Sequence, residues 1–378
     1  MKNVLFATTA TAALLVGAAA SAQGIALFGD ARLGLGYNID NDGGILTEEN
    51  SDGSIDTPDD LRAISRVRFG VNMTGETDSG ITFGATIRAD NSSGGEGGTE
   101  GQRSGSVFVS GSWGTLTYGD TNGADEQWVG DVPGDYSLTG LGELDETRFV
   151  SNGGSFGSDD GADFAENPAA RPTVRYDFDI AGWGLSLSSN RDLTDIAVGT
   201  GYSADFGGGS WSAGIGYNKF DNFTSTDDAG FELVDLDGDG IDDTAVPVVD
   251  VVEWPDGEQW SVGLKGTYDA FGFGLTYAKL TSDTNDLGKF EADNLLLGAS
   301  FGWDNFAVGL VYGKILSADG VLSELDGDDS FEISAQYDLG GGATVNFGAR
   351  RTYDIVGIGS DEGGDPAWIG DFGISMAF

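Results

Sequence analysis

The 378 residues include no cysteine, no histidine, only 7 prolines, and 18 basic residues against 62 acidic ones. Each shortage excludes something. Without cysteine there is no disulfide framework and no thiolate site. Without histidine, Ser-His-Asp hydrolysis, imidazole-based zinc sites and most proton transfer near neutral pH lose their usual residue. An enzyme would have to run on carboxylates alone, as glycosidases do, and scattered Asp and Glu single out no such pair. The reading is therefore not an enzyme. A net charge of −44 excludes nucleic acid as a partner, because binding it requires Lys and Arg to neutralise phosphates. Apolar runs are also short. LLVGAAA (14–20), after Lys2 and ending in Ala20-Ser21-Ala22, falls below the ~20 residues of a spanning helix and reads as the apolar part of a secretory signal peptide over 1–22.

What is present points to a folded β protein. Glycine reaches 64, and 22 Phe, 11 Tyr and 8 Trp are too many for a disordered acidic chain. Period-2 alternation recurs along the chain. In the last stretch, Trp368, Gly370, Phe372, Ile374, Met376 and Phe378 share one face, with Ile369, Asp371, Gly373, Ser375 and Ala377 on the other. In 331–339, Phe331, Ile333, Ala335, Tyr337 and Leu339 oppose Glu332, Ser334, Gln336 and Asp338. Seven tight turns, at 76–80, 112–114, 181–184, 207–210, 270–272, 303–305 and 340–342, alternate with longer polar connections. About 16 strands result, each near the ~9–11 residues that cross the hydrocarbon when tilted.

The fold class expected is all-β, a 16-stranded antiparallel transmembrane β-barrel with long extracellular loops and short periplasmic turns. Aromatics near strand ends (Trp183, Trp211, Trp303, Tyr202, Tyr217, Tyr268, Tyr277, Tyr312, Tyr337) suit interfacial girdles. A β-sandwich with its polar face in water would show the same alternation, so a secreted, soluble calcium-binding β-protein stays open as an alternative.

Four stretches carry a family resemblance: FGDARLGLGYN (28–38), SRVRFGVNMTGETDSGITFGATIRA (65–89), GSVFVSGSWGTLTYGDTNGADE (105–126) and the terminal strand ending in Phe378. They resemble the general diffusion porins of Gram-negative outer membranes, most closely the alphaproteobacterial branch. The resemblance implies a barrel over 23–378, a homotrimer, a third extracellular loop (120–170) folded into the pore, and a C-terminal Phe378 read by the outer-membrane assembly machinery. It also implies outer-membrane lipid and lipopolysaccharide as surroundings and small hydrophilic solutes as cargo. The fifth long loop, 221–256, departs from the family in being extended.

Parity makes a claim of its own. If Val67, Phe69, Val71 and Met73 face lipid, Arg62, Arg66 and Arg68 face the lumen, and the same argument turns Arg32 and Arg88 inward. Five of twelve arginines then share one wall. A lipid-facing Arg costs ~2–4 kcal/mol near the midplane, which explains their inward parity but not their clustering. The expected counterpart is the acidic segment 120–170, with Asp120, Asp125, Glu126, Asp131, Asp135, Glu143, Asp145 and Glu146. It is either a solvated extracellular flap or, as the resemblance implies, folded inward opposite the arginines, where it would set a transverse field across the constriction. A substrate-selective channel is the alternative on the same barrel, but it would need a run of lumenal aromatics.

No cofactor is required. A Ca²⁺ site is one reading of DLDGDGIDD (235–243), where Asp235, Asp237, Asp239 and Asp243 occupy the first, third, fifth and ninth positions of a calcium loop around a central glycine. Val246 stands where the bidentate acid belongs, so a plain acidic surface loop is the other.

Overall fold

The computed structural model describes residues 24–39, 48–49, 55–56, 60–92, 104–119, 121–142, 173–190, 193–221, 223–234, 244–284, 288–352 and 367–378. Sixteen strands close into one antiparallel barrel, each paired with its neighbours in sequence and the last with the first. They are β1 Gly24–Tyr37, β2 Leu61–Glu76, β3 Thr82–Ser92, β4 Ser104–Gly111, β5 Gly114–Gly119, β6 Thr173–Ile180, β7 Trp183–Ser189 and β8 Ile196–Phe206. Then follow β9 Gly209–Phe220, β10 Gly257–Tyr268, β11 Phe271–Ser282, β12 Glu291–Trp303, β13 Phe306–Asp319, β14 Asp329–Gly340, β15 Ala343–Thr352 and β16 Ala367–Ala377. Closure pairs Leu33 with Ile374 and Leu35 with Phe372. The Phe378 amide donates to the Gly29 carbonyl at 2.9 Å, while its side chain is 82% exposed.

The seven short turns lie where the spacing places them. Ala181 and Gly182 take φ of 51° and 84°, the two positive values of a type I′ hairpin turn, whose twist matches that of the flanking strands. The polarity is inverted relative to a water-soluble protein. Leu27, Leu33 and Val67 point outward and are exposed, whereas Ser186, Ser261, Gln259 and Glu332 are buried on the inner side. In hydrocarbon the only backbone partners are other strands, and closure supplies them.

Aromatic rings line the outer rim at the short-turn end. Trp183 and Tyr202 lie 4.9 Å apart, and Tyr202 and Trp211 5.6 Å. A second run links Phe271, Phe301, Trp303, Phe306 and Tyr337. The outward positions of β1–β4 contain no Trp and a single Tyr, Tyr37.

The extended fifth connection pairs with itself in a two-stranded antiparallel sheet separate from the barrel sheet, Phe223–Val234 with Thr244–Trp254. Positions 235–243, with the four aspartates of the calcium reading, lie outside the described residues. So do residues 1–23.

The inverted polarity has a measurable consequence. Val262→Arg, at an outward position in the middle of β10, should cost ~2–4 kcal/mol. Ser106→Gln, on the inner face of β4, should change stability by less than ~0.5 kcal/mol. Denaturant unfolding in lipid vesicles compares them, and equal costs would contradict the assignment of faces.

Candidate functional site: an inward belt facing lumenal arginines

The segment 121–142 between β5 and β6 leaves the rim and runs round the inside of the barrel as a belt. Its hydrogen bonds trace the path. The Ala124 amide and the Trp128 indole donate to Ser188 and Ser186 of β7 at 2.8 and 2.9 Å. Ser261 of β10 donates to the Asp125 carbonyl at 3.0 Å and Thr276 of β11 to that of Gly130 at 3.3 Å. The Ser334 hydroxyl of β14 donates to the Gly134 carbonyl and accepts from the Tyr136 amide, at 2.8 and 2.9 Å. Asn346 of β15 donates to the Tyr136 carbonyl at 3.0 Å. Asp371 of β16 accepts both the amide and the hydroxyl of Thr139 at 2.7 Å.

Three arginines hold the belt by its carbonyls. Arg175 of β6 donates to Asn122 at 2.6 Å, Arg32 of β1 to Leu138 at 3.4 Å and Arg350 of β15 to Leu141 at 3.1 Å. Guanidinium donors to carbonyls are charge-assisted, and bonds of this kind contribute about 1.5–3 kcal/mol.

Glycines make room for the belt. Gly184, Gly201, Gly214 and Gly263 stand in register across β7–β10, with Trp128 lying over the first three. A Cβ on Gly199, Gly214, Gly216, Gly298 or Gly309 would collide with belt backbone. Apolar anchors complete the seat. Leu138 and Leu141 are buried with Ile39, Ile64 and Ile369, and Val132 packs on Leu296 and Val311. Burying a leucine contributes about 1.5–3 kcal/mol.

Among the described residues, the hydrogen bonds just given fall on strands from β6 round to β16 and β1, and Ile64 of β2 packs on the belt's leucines; farther round stands the wall of β2–β5. That wall carries the arginines. Arg66 stands opposite Arg32 and Arg68 opposite Asp30, while Arg88 on β3 pairs with Gly70. Arg66 donates to Asp30 at 3.1 Å. Arg62 sits higher, in an exposed ion pair with Asp60 at 2.8 Å. The five arginines thus share a face and divide its duties. Arg32 is 5% exposed beneath the belt, Arg62 lies toward the rim, and Arg66, Arg68 and Arg88 line the lumen.

The acids differ more from the sequence expectation. Asp125 and Glu126, in a one-turn helix Ala124–Gln127, are buried, and Glu126 accepts from Asn122 at 2.9 Å. Neither reaches the lumen, because the belt turns its helix toward the wall. Asp135 accepts from the amides of Ser137 and Gly142 at 2.7 and 3.0 Å and so shapes the belt's own turn. Asp131 is the exposed acid among the described belt residues. Asp120, Glu143, Asp145 and Glu146 lie outside them.

Sequence reasoning did not single out Arg175, Arg350, Glu332 or Asp371. Inward parity was their only signal, and many residues share it.

Comparison with known proteins agrees with the barrel fold. The family model for Gram-negative porins matches residues 7–354. The porin of Rhodobacter capsulatus is 26% identical over 367 residues, covering 94% of this chain and all of that one. A porin structure refined at 1.8 Å superposes with a TM-score of 0.58 at 22% identity, and a variant of the Rh. blastica porin with 0.58 at 17%, each over 94% of this chain and all of the other.

Gly214→Val tests the seat. Its side chain would meet the Trp128 backbone, and overpacking of this kind costs ~1–3 kcal/mol, less than a closed barrel needs to unfold. The belt should lift from β9, altering single-channel conductance while heat-modifiable gel migration stays that of an intact barrel. Unaltered conductance would mean that the wall yields instead.

Proposed function

Because the chain belongs to the Gram-negative porin family, whose members are non-enzymatic channels of the outer membrane, we propose that it passes ions and small hydrophilic solutes by diffusion through a constriction between belt 121–142 and Arg66, Arg68 and Arg88. One observation carries this reading: among the described residues, the belt's hydrogen bonds fall on strands other than β2 and β3, which bear these arginines on their inner face. Solutes passing there meet fixed cations in a chain of net charge −44. Asp131, with Asp120, Glu143, Asp145 and Glu146 as its proposed companions, supplies the opposite sign, so the field runs across the pore rather than along it. Such a field orients water and dipolar solutes and disfavours apolar ones.

The rest of the reading concerns assembly. Three copies associate through the outer faces of β1–β4, where the lack of Trp and the single Tyr suit contact with protein better than with a lipid interface. Residues 1–22 are removed on export. The spacing of Asp235, Asp237, Asp239 and Asp243 supports a Ca²⁺ loop.

Neutralising Arg66 and Arg68 together should leave folding intact, since half-exposed lumenal positions contribute little packing, and shift the reversal potential toward cations. Unchanged selectivity would remove these arginines from the constriction.

Phe378 gives a second test. Its exposed side chain contributes at most ~2–3 kcal/mol to a barrel held by closed backbone pairing. Deleting it should leave refolding in detergent and conductance near normal while outer-membrane levels in the cell fall sharply. Normal levels would refute its role as an assembly address.

A further inference from the structure

Lysine is scarce in this chain, and Lys265 of β10 stands on the lumenal face. It shares the inward parity of buried Gln259 and Ser261, with exposed Val262 and Leu264 on the outer face. Register extends the position sideways. Ser212 of β9 stands opposite Lys265, and Ser203 of β8 opposite Ser212. These three form the row next to Gly201, Gly214 and Gly263, the glycines on which the belt lies, on the side toward the short turns. A Cβ on Gly130 would come within 2.3 Å of the Lys265 Nζ, so the ammonium sits directly beneath the belt. Gly130 takes a φ of 60° and bends the chain over it. Among the described residues, the Lys265 ammonium and the hydroxyls of Ser203 and Ser212 have no ion pair or hydrogen bond, whereas Lys279 on the outer face lies 3.2 Å from Asp293.

One ammonium and two hydroxyls in a row suit an anion with several acceptor oxygens. Neighbouring strands lie about 4.8 Å apart, a spacing that a tetrahedral oxyanion bridges from Lys265 to Ser212, with Ser203 next along the row. Its bond from the lysine is charge-assisted, and the serine hydroxyls are free to turn their protons toward it. The surrounding charge has the other sign. Asp131, next to Gly130 in the belt, and Asp205, the next inward residue of β8, are exposed carboxylates. They keep an anion from settling, and a site on a transport path must release what it holds. β10 lies halfway round the sixteen strands from β2, so the row faces the wall of Arg66 and Arg68 from across the lumen. We infer that Lys265, with Ser212 and Ser203, is a second station for small oxyanions of the phosphate class, on the periplasmic side of the belt, where it takes them over from the arginines. This rests on the channel reading and gives the pore a direction, because the station lies on one side of the belt only.

Single-channel recording of the whole protein in a planar bilayer tests it, with potassium chloride as carrier and inorganic phosphate added to one chamber at a time. Phosphate should reduce the chloride current saturably, and half-block should need at least ~3-fold less phosphate from one chamber than from the other. Lys265→Gln should abolish that asymmetry and raise the half-blocking concentration at least ~5-fold, as loss of a charge-assisted bond requires. Lys265→Arg should keep both, and Ser212→Ala should raise the concentration by a smaller factor, ~2–3-fold. Arg66→Gln together with Arg68→Gln should move the reversal potential and leave the asymmetry in place, while Lys279→Gln, on the outer face, should change neither. Phosphate block that is symmetric in the unaltered protein, or unchanged in Lys265→Gln, would overturn the station while the channel reading stands. A protein that forms no channel would overturn that reading and the station with it.

Discussion

A backbone amide or carbonyl in hydrocarbon has no water to turn to, and each one left unpaired costs several kcal/mol. A sheet in a membrane must therefore have no edge. Here the requirement is met by pairing β1 with β16, which brings residues more than 300 positions apart into register, Leu33 against Ile374 among them. Much else follows. Closure fixes which face of every strand meets lipid, so an acidic chain with a mean hydropathy of −0.15 can spread its apolar residues outward in single file rather than gather them in a core. It also brings Arg32 and Arg350, from opposite ends of the chain, onto one inner wall, where each holds a belt carbonyl.

The belt depends on that closed wall. Its partners are drawn from β6 through β16 and then β1, so an open or partly paired sheet would offer it only a fraction of its seat. The largest contributions come from contacts that the wall shapes: Leu138 and Leu141 in a pocket of isoleucines, guanidinium groups on carbonyls, and glycine rows that admit backbone close to the strands. Among the described belt acids, Asp135 shapes the belt's own turn and Asp125 and Glu126 are buried.

Much of the barrel was legible in the sequence because the signals were local. Turns announced themselves through Gly, Asp and Asn at positions where φ is positive, as at Gly182 and Asp304. Strand faces followed from period 2, and so did the inward parity of Arg66, Arg68 and Arg88. The belt was another matter. Irregular backbone has no parity, so nothing in the order of residues showed that Asp125 and Glu126 turn toward the wall while Asp131 stays exposed. The glycine rows were equally silent: Gly214 and Gly263 meet only in the folded sheet, and in sequence each looks like any other glycine in a strand. Arg32 was identified by its face, but its partner Leu138 lies 106 positions away, a distance over which no motif operates.

The glycine rows separate two properties that many binding sites keep entangled. Because most of the wall's hydrogen bonds fall on the belt's main chain, it acts as a mould for the course of a polypeptide, with Trp128, Leu138 and Leu141 as side-chain anchors. Residues on the free edge of the belt, Asp131 among them, can then be exchanged while the mould stays as it is. In the proposed function, calibre belongs to the glycines and charge preference to that free edge and the arginines across from it. A lineage facing new solutes could retune the second without recasting the first.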